Sequence, residues 1–101
     1  MNICRKSLLI EDNKIAQRIP TLILEHEGWN VDIASTGHDA INLISNNTYS
    51  LILLDMGLPD FDGRELAKIL RAMVNRNDLP IIGLTAHDDM KLRENNSINE
   101  L

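Results

Sequence analysis

Residues 51–54 read Leu-Ile-Leu-Leu, and the next residue is Asp55. Four apolar residues in a row, with no polar alternation, predict a strand buried on both faces. Such a strand belongs inside a parallel sheet with helices on either side, and the rest of the chain has to supply them. The run ends in a carboxylate, and the loop Met56–Gly63 (MGLPDFDG) leads from it into a helical pattern. In open α/β sheets ligands bind just beyond the carboxyl ends of the strands. Asp55 is therefore a candidate site residue by position alone.

Three further strands are legible. Ser7–Ile10 (SLLI) is apolar and ends at Glu11-Asp12. Trp29–Ala34 (WNVDIA) alternates apolar and polar residues, as a half-covered strand does. Pro80 opens Ile81–Thr85 (IIGLT), which ends in a hydroxyl. Helical patterns separate them. Ile15, Ile19, Leu22 and Ile23 mark a first helix over Lys14–His26, with Asn13 able to cap it and Gly28 as its stop. Pro20 predicts a kink or break inside that helix. Thr36, with Asp39 three residues on, resembles a capping box and opens a helix whose buried stripe is Ala40, Ile41, Leu43 and Ile44. Leu66, Ile69, Leu70 and Met73 mark a third helix, and Asp88 can cap a weak fourth. The βαβαβαβα alternation over 101 residues predicts one α/β domain with a parallel sheet, helices on both faces and right-handed crossovers.

Composition excludes several classes. A formal charge of −5 argues against a nucleic-acid surface, which needs clustered Lys and Arg. No apolar run approaches the ~18 residues of a membrane span, and no signal peptide follows the start. One cysteine, Cys4, forms no internal disulfide and fits a reducing compartment, so a cytoplasmic chain is expected.

Three strand ends carry oxygen-bearing side chains: Glu11-Asp12, Asp55 and Thr85. In a doubly wound sheet these ends lie side by side. Clustered carboxylates repel one another unless a cation is present. Hard oxygen ligands with neither His nor Cys suit Mg²⁺, which takes a few carboxylates and keeps several waters. Asp55 could then act as a nucleophile toward phosphorus, with Thr85 hydrogen-bonding a phosphoryl oxygen.

LLIEDN (Leu8–Asn13), the apolar run into Asp55, MGLPDFDG and PIIGLTAH (Pro80–His87) stand in order, each on an expected strand end. With these motifs the chain resembles a response-regulator receiver domain of two-component signalling, most like the receiver modules of hybrid histidine kinases. The resemblance covers about Ser7 to His87. It implies a flavodoxin-like doubly wound sheet of order 2-1-3-4. Asp55 matches the phosphoacceptor, which takes a phosphoryl group from a kinase phosphohistidine. Glu11 and Asp12 match the acidic pair that holds Mg²⁺, and Gly57 the position whose backbone carbonyl ligates it. Thr85 matches the switch hydroxyl, and Ala86 the small residue that follows it. Gly57 and His87 fall where the family varies the lifetime of the phosphorylated state. The implied partners are a sensor histidine kinase or a histidine phosphotransfer domain. The implied activity is a conformational switch or onward transfer, with no catalysis beyond the domain's own phosphorylation and dephosphorylation.

The family continues with a fifth strand bearing a lysine and a last helix. Here no lysine in an apolar strand follows Thr85, and Lys91 lies in the weak helical pattern. The expectation is a single receiver domain over 1–101, incomplete at its C-terminus, with an open edge on strand four. A fragment, a natural truncation and a homodimer covering that edge all fit. So does a degenerate, non-switching receiver used for docking. Two other readings fail on position. Asp60, Asp62 and Gly63 have EF-hand-like spacing, but Leu58 and Ile69 stand where that loop needs acids. A haloacid-dehalogenase-like phosphatase needs a second aspartate where Gly57 stands.

Overall fold

A computed structural model of the chain describes residues 5–74 and 79–84, and the backbone of 99 and 100. Thr85, Ala86, His87, the helical pattern from Asp88 and Cys4 lie outside the described residues. The elements run β1 (Lys6–Ile10), α1 (Arg18–His26), β2 (Asn30–Ala34), α2 (Gly37–Asn46), β3 (Leu51–Asp55), α3 (Gly63–Met73), β4 (Ile81–Leu84) and β5 (Asn99–Glu100).

The sheet order is β2-β1-β3-β4-β5, parallel throughout except for β5. The chain steps from β1 outward to β2, then back across to β3 and on to β4. Right-handed crossovers therefore put α1 on one face and α2 and α3 on the other. β3 is central, with Leu53 level with Leu9 on one side and Ile82 on the other. The edge of β4 expected to stand open is paired over two residues, since Asn99 and Glu100 lie antiparallel to Gly83 and Ile82.

The main core lies between the sheet and the α2–α3 layer. Leu8, Ile10, Ile52, Leu54 and Ile81 point into it from the strands. Ala40 and Ile44 meet them from α2, and Leu66, Ala67 and Leu70 from α3. Alternation along β1 sends Leu9 to the α1 face, where it too is fully buried. At the amino ends of the strands Tyr49 Oη donates to Asp32 at 2.6 Å. Burial, then that carboxylate, pushes the Tyr49 phenol above its usual range.

Helix α1 departs from expectation twice. Pro20 does not interrupt it. The helix begins at Arg18, so Pro20 sits in the first turn, where backbone N–H groups have no intrahelical partner to lose. Residues 14–17 form a separate turn capped by Asn13, whose side chain accepts from the N–H groups of Ile15 (2.8 Å) and Ala16 (3.0 Å). Second, the apolar row that marks the helix in the sequence is not the side it turns to the sheet. Gln17, Pro20, Thr21 and Leu24 are the half-buried positions, while Ile15, Ile19, Leu22 and Ile23 are exposed. The far end is pinned in that orientation, because Trp29 N–H donates to Leu24 O at 2.9 Å around Gly28, whose φ of 91° favours glycine.

Helices α2 and α3 start as polar caps dictate. The Thr36 side chain accepts from Asp39 N–H at 3.0 Å, and Asp62 from Arg64 N–H at 2.9 Å. Within α2, Ala40 and Ile44 are buried, with Ile41 and Leu43 packed against the core.

Candidate functional site

The first and third strands deliver their acids to one place. Ile10 and Leu54 are level across the β1–β3 pair, so the residues that follow them, Glu11 and Asp55, emerge together at the carboxyl end of the sheet. The ladders extend just past both strands. Glu11 N–H donates to Ala34 O, and Met56 N–H to Leu84 O, each at 2.9 Å. The Gln17 side chain holds the Glu11 carbonyl at 2.7 Å. These bonds fix the backbone on which the carboxylates are mounted.

Glu11, Asp12 and Asp55 bring carboxylate oxygens within 4.8 Å of one another. Among the described residues this is the acidic cluster the sequence predicts. Glu11 and Asp55 are half-buried and Asp12 is exposed. Partial burial, then a hydrogen bond and repulsion from Asp55 and further repulsion from Asp12, push the Glu11 carboxyl up from 4.5 to about 7. The Asn13 N–H on Glu11 Oε2, at 3.2 Å, offsets part of that rise. Near neutral pH a substantial fraction of Glu11 is thus protonated. That is what a converged acid cluster does when nothing else neutralises it, and the same oxygens suit a hard divalent cation.

On Asp55, Oδ1 accepts from Gly57 N–H at 3.0 Å. This turn orients the carboxylate and engages one of its two oxygens. Beyond it, Leu58 is buried in the core and anchors the loop. The loop returns tightly into α3. A Cβ on Gly63 would lie 2.7 Å from Met56 Sδ and 2.8 Å from Met56 Cα. The sulfur could move aside, but the backbone atom next to Asp55 could not without shifting the loop. Gly63→Ala is therefore expected to cost about 1–3 kcal/mol in urea unfolding.

One contact had no local signal in the sequence. Asp60 lies against the amino end of α2, where its carboxylate accepts from Gly37 N–H (2.9 Å), His38 N–H (3.2 Å) and His38 Nδ1 (2.9 Å). The Gly37 N–H, then the His38 side chain and N–H, hold the Asp60 carboxyl below its usual value. The β3–α3 loop is thereby tied to a helix about 22 residues earlier, and the Phe61 ring packs 5.2 Å from that of His38. Asp60 and Asp62 thus serve as helix caps.

The response regulator receiver domain matches residues 8–98 of the chain. The chain is 45% identical over 83 residues to the transcriptional regulatory protein PmrA of Pectobacterium parmentieri, covering 82% of itself and 36% of that protein. It is 37% identical over 70 residues to probable histidine kinase 1 of Oryza sativa subsp. indica, covering 69% of itself and 7% of that protein. It thus spans about a third of the regulator and a small part of the kinase. Among solved structures it resembles the response regulator TrrA of Thermotoga maritima in complex with Mg²⁺ and BeF, with a TM-score of 0.75 and 28% identity over 92% of this chain and 77% of that one. No helix among the described residues is long and apolar enough to cross a membrane.

Proposed function

The chain belongs to the response regulator receiver family of two-component signalling, and from that premise we propose that Asp55 takes a phosphoryl group from a kinase phosphohistidine. The observation that carries this reading is the convergence of Glu11, Asp12 and Asp55 at the carboxyl ends of β1 and β3. Asp55 Oδ1 is engaged by Gly57 N–H, so Oδ2 is the oxygen left for phosphorus. In the transfer an O–P bond forms at Asp55 as the P–N bond breaks, and the departing imidazole takes up a proton. Glu11, Asp12, Asp55 and the Gly57 carbonyl would hold Mg²⁺. When bound, that ion would neutralise the carboxylates and the charge on the phosphoryl oxygens. The Asp55 nucleophile keeps its aim because the Gly57 N–H and the buried Leu58 fix the start of the loop.

In this reading Thr85 and Ala86 receive the phosphoryl group on the β4 side, and Gly57 and His87 adjust how long it stays. The partners are a sensor histidine kinase or a histidine phosphotransfer domain. The domain catalyses no reaction beyond its own phosphorylation and dephosphorylation. Incubation with Mg²⁺ and acetyl phosphate should add one hydroxylamine-labile phosphoryl group, mapped to Asp55 by mass spectrometry. No incorporation, or incorporation elsewhere, would end the assignment.

The raised Glu11 carboxyl makes a second prediction. A proton must leave before the cluster can hold a cation, so Mg²⁺ affinity should rise with pH up to about 7 and level off above it. Below that point calorimetric affinity is expected to fall by up to about tenfold per pH unit. Without metal the sign reverses for stability. The proton bound by the folded state stabilises fully below pH 4.5, and this contribution is lost as pH rises through about 7. Glu11→Gln should flatten both dependences.

A further inference from the structure

The first three N–H groups of helix α2 have no partner within the helix. Its own cap, Thr36, takes only the third of them, from Asp39, at 3.0 Å. The first two, of Gly37 and His38, go to the Asp60 carboxylate at 2.9 and 3.2 Å, and His38 Nδ1 adds a further bond at 2.9 Å. Asp60 belongs to the loop that leaves Asp55, so the amino end of α2 is fastened to that loop. The Asp60 side chain is only 25% exposed. Phe61 closes the same contact from beside it, with its ring so near Gly37 that a Cβ there would overlap it.

We propose that Asp60 is a positioning residue for phosphoryl transfer: by clasping the β3–α3 loop to α2 it keeps the Gly57 N–H on Asp55 Oδ1. This role rests on Asp55 being the phosphoacceptor. The bonds form a closed circuit around the acid cluster. Glu11 N–H binds Ala34 O at the end of β2. Three residues on, the chain reaches Gly37 and the Asp60 clasp. From Asp60 the loop runs back through Pro59 and Leu58 to Gly57, which binds Asp55. Ile10 and Leu54, level across β1 and β3, complete the circuit through the sheet. Its links are short or stiff. Pro59 fixes its own φ and restricts Leu58 before it, and Leu58 is buried in the core. A shift at Asp60 therefore reaches Gly57 instead of being lost in slack chain. Leu58 sets the depth of the loop, but one buried side chain leaves the loop free to swing about it. Asp60 removes that freedom by holding the far side. Without the clasp the Asp55 carboxylate would sample a wider range of directions, and a misplacement of ~1 Å at a reacting atom costs up to about a hundredfold in rate.

The two caps on one helix supply the control. Asp60→Ala removes the clasp. Gly37→Ala forces the Phe61 ring away while leaving every loop residue in place. Asp60→Asn keeps one oxygen for the Gly37 N–H. Thr36→Ala removes the other cap of α2 and leaves the clasp intact. Circular dichroism confirms that each variant folds. In the metal-free chain, hydrogen exchange of the Gly57 N–H, read by NMR, is expected to quicken about tenfold in D60A and G37A and to stay at the wild-type value in T36A. At saturating Mg²⁺ the rate of Asp55 phosphorylation by acetyl phosphate should fall about tenfold or more in the same two variants. It should recover in part in D60N and stay unchanged in T36A. A D60A chain that keeps the wild-type exchange and labelling rates would overturn the proposal. So would a T36A chain that loses as much as D60A, because the cause would then be the stability of α2. A wild type that takes no label at Asp55 removes the phosphoacceptor reading and this role with it, whereas a labelled wild type with unaffected variants removes this role alone.

Discussion

Asp55→Asn is expected to abolish phosphoryl incorporation from acetyl phosphate while leaving the chain folded and, without metal, more stable. The amide has the shape of the carboxylate and can still accept the Gly57 N–H through its oxygen. It lacks the charge and lone-pair basicity needed to attack phosphorus, so labelling should fall to background rather than by some fraction. The rise in stability has a separate cause. Asp55 contributes to pushing the Glu11 carboxyl up, by a shared hydrogen bond and by repulsion. Removing that charge should bring the Glu11 value down and raise the melting temperature in metal-free buffer at pH 8, where the repulsion is largest. The two readouts separate a lost nucleophile from a damaged fold. A variant that loses labelling and also melts earlier would indicate misfolding, and one that still labels would remove Asp55 from its proposed role.

The second large effect is on the fold itself. Leu54→Ala is expected to destabilise the domain by about 2–5 kcal/mol, measured by urea unfolding at fixed pH. Leu54 is fully buried in the layer it shares with Ile10 and Leu66, and the central strand cannot collapse into the space because both of its edges are bonded. Domains of this size are stable by about 5–15 kcal/mol, so the loss takes much of the total. The neighbouring Leu53 is only half-buried on the α1 face, and Leu53→Ala should cost less. A reversed order of the two variants would contradict the packing described.

The contrast between Leu54 and Leu53 shows what a sequence can and cannot carry. Both look identical in the run Leu51–Leu54, and the run predicts only that a strand is there. The layer of α2 and α3 covers one face, and among the described residues α1 covers the other incompletely. Helix α1 makes the same point. Ile15, Ile19, Leu22 and Ile23 reveal a helix by their period, but period does not say which stripe meets the sheet. Gln17, Pro20, Thr21 and Leu24 do so, fixed by where the helix starts and how it closes around Gly28. Pro20 reads as a break only until the first residue of the helix is known.

Strand positions, the caps at Asn13 and Thr36 and the acids at the strand ends were determined by the sequence alone. Each rests on chemistry within a few residues: an apolar run, a side-chain oxygen beside free N–H groups, a carboxylate after a strand. The tertiary structure decided what depends on distant partners. It levels β1 with β3 so that Glu11 meets Asp55, and that meeting raises the Glu11 carboxyl. It sets Asp60 on the end of α2, a pairing no local pattern announces. It also lays β5 along β4 through backbone bonds, which almost any side chains allow. Local chemistry is written in neighbouring letters, whereas register, facing and coupled charge exist only once the chain has closed on itself.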